Sequence, residues 1–377
     1  MGHRLDRNHD SMSPLLVLMS GGSEWSWRLI DQLRECGLET VTVDVSGLRD
    51  SRGFVGRAVD YTLPRIRRPR TGKLRRIALA HGTMFGLCLY GGRQAFELDL
   101  LSRALPGFRF GVFAVGSDVL RPDRAQSRVR GLLARIVVGG PLSRAALVLA
   151  NGEHLAAAVA QLTRGRAVVE TWRQGVDVPD GPIRGASEHA TLSVVVPRPW
   201  DPLYNNVQVV DGVLEYAQHH GSESLRVLFC GPRAGDQDLE RLAELDRSFG
   251  PSQRLSITDG YDFDARFSIF GNHAVTISLS TSDGTANSVL EAIASGSLPV
   301  LSDIPANRVL VEQFGIFAEL VEIGDPGALR RALESISDRQ DEWADLARLN
   351  RSLVEEHFSA GSATTRLCSL LESVVQR

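Results

Sequence analysis

From Leu15 onward, short apolar runs alternate with segments of helical period, and the pattern passes through the chain twice. Leu15–Met19 (LLVLM) reads as a strand. A helical face follows through Trp27, Ile30 and Leu33, and the β-branched run Thr40–Val45 reads as the next strand. Phe110–Val115, Ala145–Ala150 and Val168–Thr171 continue the series. A stretch rich in Pro, Gly and Asp, Val176–Glu188, then interrupts it. The alternation restarts at Leu192–Val196 and continues through strands at Arg226–Cys230, Leu255–Thr258, Ala274–Leu279 and Leu298–Leu301. Helical faces lie between them at Val207–Ala217, Leu239–Leu245, Ser288–Ala294 and Ala328–Ile336. Two amphipathic helices close the chain.

Alternating strands and helices imply parallel sheets covered on both faces, so the expected fold class is α/β with two Rossmann-like, doubly wound domains facing a cleft. A chain of 377 residues suits two such domains. The expected boundaries are a flexible leader over 1–13, an N-terminal domain over 14–185, a C-terminal domain over 186–360 and a terminal helix over 361–377. The leader has no apolar h-region, so a secretory signal is not expected. No run reaches the ~18 apolar residues of a membrane span.

Charge divides the chain. Residues 1–190 carry 27 basic and 18 acidic side chains, and the remainder carries 15 and 27. The densest basic run, Arg65–Arg76 (RIRRPRTGKLRR), fits a solvated loop, an anionic acceptor or anionic lipid; no motif of a nucleic-acid fold accompanies it. Flotation with anionic vesicles checks the lipid reading, and indifference to lipid charge removes it. Cys36, Cys88, Cys230 and Cys368 match no metal or redox spacing and are expected to be reduced, mostly packed thiols of a cytoplasmic protein; the basic N-terminal domain is what suggests peripheral contact at the inner membrane face. Lys73 is the only lysine, so no lysine of the C-terminal half can meet a phosphate.

The chemistry concentrates in Ala274–Ile304, AVTISLSTSDGTANSVLEAIASGSLPVLSDI. A strand runs into a polar loop, Ser280–Thr285, and then a helix. Asp283–Asn287 has turn and cap chemistry, and a helix starting there points backbone N–H groups and its positive dipole end out of the sheet, toward an anion such as phosphate. Glu291, about two turns after Asp283, offers a carboxylate to neutral donors such as sugar hydroxyls.

This segment resembles the signature of the retaining glycosyltransferases of family four, which have the GT-B fold: an acidic residue, seven residues, then Glu. Asp283 and Glu291 keep that spacing inside DGTANSVLEAIASG. The resemblance implies a hexosyltransferase that moves a sugar from a UDP- or GDP-linked donor to a glycan, lipid-linked or small-molecule acceptor, with no cofactor and no metal. It implies that the backbone of Gly284, Thr285, Ala286, Asn287 and Ser288 cradles the donor diphosphate, that Glu291 binds the ribose and that Asp283 holds the transferred sugar. Arg198, just after the strand LSVVV, resembles the arginine that meets the donor phosphates. Ser20–Glu24, with Gly22, resembles the first glycine loop, and Gly116–Leu120 (GSDVL) brings Asp118 to the cleft as a second catalytic candidate. Gly175-Val176-Asp177 resembles a structural motif closing the first domain, and the last helix is expected to cross back onto that domain.

Two departures stand out. Most of the family has a lysine five or six residues after the arginine, where this chain has Leu203 and Tyr204; Arg233 is the candidate replacement. Many relatives have a histidine where Val115 stands, and His81 is the candidate histidine near the cleft. A non-catalytic sugar-nucleotide-binding or partner-binding protein, and an isomerase such as an epimerase, are the alternatives on the same fold.

Overall fold

The computed structural model of the chain describes residues 13–19, 24–45, 61–62, 71–116, 119–120, 138–181, 183, 191–231, 236–249 and 254–375. The chain divides into two compact units, Met1–Arg173 with Thr364–Arg377, and Gln174–Ala363.

Unit 1 runs β1 (Leu15–Met19), α1 (Glu24–Glu35), β2 (Thr40–Asp44), β3 (Tyr61–Thr62), α2 (Thr71–His81), β4 (Phe85–Cys88), α3 (Arg93–Ala104), β5 (Arg109–Ala114), α4 (Gly140–Arg144), β6 (Leu147–Ala150), α5 (Glu153–Thr163) and β7 (Val169–Thr171). Its seven strands lie in the order β3-β2-β1-β4-β5-β6-β7, each paired parallel to its neighbours. Strands covered on both faces must be apolar throughout. Every residue of β1 is accordingly fully buried.

Unit 2 runs β8 (Leu192–Val196), α6 (Asn206–His220), β9 (Leu225–Phe229), α7 (Asp236–Phe249), β10 (Leu255–Ile257), α8 (Arg266–Gly271), β11 (Val275–Ser278), α9 (Asn287–Ala294), β12 (Leu298–Ser302), α10 (Pro305–Glu312), β13 (Glu319–Val321), α11 (Ala328–Asp338) and α12 (Trp343–Phe358). The last helix, α13 (Ala360–Val375), has its residues from Thr364 onward in unit 1. The six strands of unit 2 are again all parallel, in the order β10-β9-β8-β11-β12-β13. Both sheets reverse direction of winding once, between β1 and β4 and between β8 and β11. The carboxyl ends of strands at such a reversal are where doubly wound sheets take ligands.

Each unit has its own core. Leu16, Leu98, Phe110 and Val148 anchor one, and Val194, Val213, Phe229 and Leu333 the other. The stretch read from sequence as a linker begins as packed structure. Val176 is fully buried and bridges in parallel to Ser359, its amide bonding to the Phe358 carbonyl at 2.8 Å. Gly175 sits here at φ +73°, and a Cβ on it would come within 2.7 Å of the Ser359 carbonyl oxygen, so no other residue fits. No helix among the described residues is long and apolar enough to cross a membrane.

The cysteine expectation is corrected. Cys36 and Cys368 form a disulfide within unit 1, joining residues 332 apart in sequence, whereas Cys88 and Cys230 are buried free thiols. The pairing is invisible as spacing because it depends on α13 reaching the end of α1. Thiol titration of the protein purified without reductant is expected to find no reactive thiol when native, two after denaturation and four after reduction. Four thiols without reduction would contradict the pairing.

Candidate functional site

Arg198 lies two residues beyond the carboxyl end of β8, at the winding reversal of unit 2. Its Nε donates to Ser278 Oγ at 2.8 Å, at the end of β11, and its Nη2 donates to Asp283 Oδ2 at 2.8 Å. The guanidinium lies 5.1 Å from the centre of the Tyr204 ring. The turn that carries it depends on Gly231, at the carboxyl end of β9, where a Cβ would overlap the Arg198 carbonyl and come within 2.7 Å of the Pro199 nitrogen. Backbone cannot yield as a flexible side chain can. Gly231→Ala is therefore expected to displace Arg198 and weaken anion binding at this site about tenfold, an estimate based on losing one charge-assisted contact. Unchanged binding in calorimetry would show that the turn tolerates the methyl group.

The loop after β11 is pinned from both sides. Thr281 donates its amide and its hydroxyl to the Leu203 carbonyl at 2.7 and 3.2 Å, which is what the lysine-less segment at Leu203 and Tyr204 contributes. Ser302 Oγ donates to the Ser280 carbonyl at 2.6 Å, and Asn307 in turn holds Ser302. Asp283 Oδ1 accepts the Gly284 amide at 2.9 Å. The capping expected from Asp283–Asn287 takes a different form. The residue ahead of α9 is Ala286, which has no capping side chain, and Asn287 Nδ2 reaches Gln174 Oε1 at 2.9 Å instead.

The start of α9 is thus left to whatever binds there. Its amides are not capped by a side chain, and the hydroxyls of Ser280, Ser282 and Ser288 are buried without a hydrogen-bond partner. A buried hydroxyl with no partner costs about 1–3 kcal/mol, and these three, two in the loop before α9 and one in its first turn, are available for hydrogen bonding along with the helix amides.

Glu291, one turn into α9, is only 4% exposed. It does not stand alone: Arg266, the first residue of α8 and 5% exposed, donates from Nε to Glu291 Oε1 at 3.2 Å. Tyr261 and Cys230 share this pocket. Burial pushes the Tyr261 phenol above its usual range, with the Glu291 charge adding to the shift, and burial pushes the Cys230 thiol up to about 12. Both stay protonated at neutral pH.

The structure therefore brings Arg198, Asp283, Gly284, Thr285, Ala286, Asn287, Ser288 and Glu291 to one end of one sheet. Gly22, Asp118 and Arg233 lie outside the described residues. His81 is not near the strand carboxyl ends. It ends α2, which runs back against the strands, and it lines a surface depression with Pro14, Arg34, Glu39 and Thr40 where β1 and β2 begin. Sequence reading missed Arg266; its signal was an arginine between two phenylalanines in DFDARFSIF, a composition that favours burial of the guanidinium. It also missed an aromatic group at the carboxyl ends in unit 1. Trp25 lies 5.7 Å from Tyr90 and 6.4 Å from Phe113, which lies 5.4 Å from Trp172.

No protein-family model matches this sequence, and no curated protein matches it. Solved structures do match. The sucrose-phosphate synthase of Thermosynechococcus elongatus superposes with a TM-score of 0.75 at 13% identity, covering 96% of this chain and 98% of its own. Anabaena Alr3699/HepE, in complex with UDP and glucose, gives 0.76 at 15% identity over 96% and 100%. The UDP-forming α,α-trehalose-phosphate synthase of Burkholderia vietnamiensis gives 0.69 at 14% over 97% and 99%. The chain has the GT-B fold. In GT-B terms, unit 1 and unit 2 are its two Rossmann-like domains, and the site built on β8, β11 and α9 lies at the winding reversal of the second. At these identities the likeness establishes the fold, and the chemistry must be argued from the residues.

Proposed function

We propose that this chain is a glycosyltransferase of the hexosyltransferase type, related to retaining family four, that moves a sugar from a UDP- or GDP-linked donor to an acceptor hydroxyl. The observation that carries this reading is the meeting, at one winding reversal, of a guanidinium (Arg198), an uncapped helix start lined by three unbonded buried hydroxyls, and a buried carboxylate (Glu291). That set matches a nucleotide diphosphate in charge and in hydrogen bonding: the anion on Arg198 and the α9 start, the ribose hydroxyls on Glu291, the sugar hydroxyls on Asp283. The solved structures named above add weight, since one holds UDP and another is described as UDP-forming.

In the reaction the bond between the anomeric carbon and the diphosphate oxygen breaks, the acceptor oxygen bonds to that carbon, and the acceptor's hydroxyl proton passes to the departing diphosphate oxygen. Negative charge builds on the leaving diphosphate, where Arg198 and the α9 amides are already placed. Asp283 is paired with Arg198. An arriving diphosphate competes with this carboxylate for the guanidinium and frees it for the sugar. The acceptor belongs on unit 1, where the half-buried rings of Trp25 and Tyr90 offer apolar faces of the kind that stack on sugars.

The test is the fate of donor. Incubation with UDP- and GDP-sugars and simple glycoside acceptors is expected to release nucleoside diphosphate and to give a product of unchanged anomeric configuration by NMR. Asp283→Ala is expected to lower turnover by about 100-fold, the scale of losing one preorganised polar contact to the reacting group. Isomerised donor, or donor bound and never consumed, would overturn the reading in favour of an isomerase or a binding protein.

A further inference from the structure

We propose that Arg266 is a positioning residue of the donor site, fixing the Glu291 carboxylate for the ribose hydroxyls. The inference rests on the donor reading above and adds a residue and a role to it. Every nitrogen of the Arg266 guanidinium is committed. Nε donates to Glu291 Oε1 at 3.2 Å, Nη1 to the Phe263 carbonyl at 2.7 Å, and Nη2 to Asp177 Oδ2 at 3.1 Å. The group also lies close to two rings, 3.6 Å from the centre of Phe263 and 4.1 Å from that of Phe267. A planar guanidinium held at three corners and packed on aromatic rings has one orientation, which a lysine ammonium could not reproduce.

Asp177 gives the Gly175-Val176-Asp177 motif a purpose beyond closing a domain. The backbone of Val176 is tied at both ends, its amide to Phe358 and its carbonyl to the Ala360 amide at 2.9 Å, so Asp177 is delivered from a fixed point. The order of support runs from that anchored backbone to Asp177, to Arg266 and to Glu291. A buried carboxylate without such a partner takes up a proton or turns away. Either change removes its ability to accept two hydroxyl hydrogen bonds. A buried ion pair kept only for stability is a weak stabiliser compared with an apolar pair of the same volume, which makes a role in recognition the more economical explanation.

The experiment uses the full chain and calorimetric titration. The diphosphate among UDP, GDP and ADP that binds the wild-type protein is compared with its 2′,3′-dideoxy form, first in wild type and then in Arg266→Gln. Wild type is expected to prefer the ribose form by about tenfold or more, the scale of hydrogen bonds to a charged acceptor. Arg266→Gln is expected to bind the two forms within about twofold of each other. Should Arg266→Gln fail to fold, Arg266→Lys keeps a cation without the three-cornered grip, and its preference is expected to fall to about threefold. A variant that binds both forms more weakly but keeps the full preference would make Arg266 merely structural and overturn the proposal. Equal binding of the two forms by wild type would also overturn it while leaving the donor site standing. No binding of any nucleotide would remove the donor reading and the proposal together.

Discussion

In the Glu291→Ala variant, the nucleoside diphosphate that binds the wild-type protein is expected to lose about tenfold or more in affinity, and the variant itself is expected to melt lower. The two losses have separate causes. Affinity falls because the carboxylate proposed to accept the ribose hydroxyls is gone. Stability falls because Arg266, 5% exposed, keeps its charge while losing a buried partner. Breaking one side of a buried ion pair typically costs about 3–5 kcal/mol, which corresponds to a melting shift on the order of 10 °C for a unit of this size. Arg266→Leu added to Glu291→Ala should recover much of the stability, because an apolar group replaces a buried guanidinium that has lost its buried carboxylate and keeps only a pair with the exposed side chain of Asp177, and should recover no nucleotide binding. Scanning calorimetry and titration of the single and double variants check both halves. A Glu291→Ala protein that binds nucleotide like wild type would remove the carboxylate from the site.

Arg198→Ala is expected to show the opposite balance. The Arg198–Asp283 pair is partly exposed, with side-chain accessibilities of 11% and 24%, so its loss should shift the melting temperature little. Turnover should fall by about 100-fold or more, because the proposed mechanism sets this guanidinium against the oxygen on which charge develops. Arg198→Lys should restore part of the loss: an ammonium supplies charge but cannot grip Ser278 and the phosphate together. With Lys73 the only lysine in the chain, no other lysine is available to substitute. Steady-state kinetics with the donor, once identified, decides the matter; an Arg198→Ala enzyme with unimpaired kcat/KM would mean that the α9 start alone carries the diphosphate.

The fold was legible wherever burial on both faces wrote itself into sequence. Leu15–Met19, Leu192–Val196 and Leu298–Leu301 are apolar runs because parallel strands have helices on either side. Legibility failed where packing needs overrode that signal. Strand β4 contains Gly86, since a Cβ there would meet the Phe108 ring at 2.8 Å, so the run is short and lacks a β-branched residue. Helix α3 hides its stripe because it buries Gln94, Glu97 and Asp99. Asp99 is neutralised by Arg103 and, from another helix, by Arg144 at 2.5 Å. The site followed the same division. The segment from β11 through α9 is continuous, so its residues could be read in order. Arg266, Asp177 and Cys36–Cys368 are joined only through tertiary structure, and no spacing rule reaches across such distances.

The central claim is that unit 2 holds a nucleotide diphosphate, and the most direct test is a thermal-shift screen of the wild-type protein against UDP, GDP, ADP and their common sugar conjugates. A ligand at about 100 times its dissociation constant adds about 2.7 kcal/mol of stability, a clearly visible shift. The account predicts stabilisation by one nucleotide and its sugar conjugates, with the increment about halved or smaller in Glu291→Ala when each protein is compared with its own unliganded melting point. An unmoved transition with every nucleotide, or an equal increment in the variant, would contradict it.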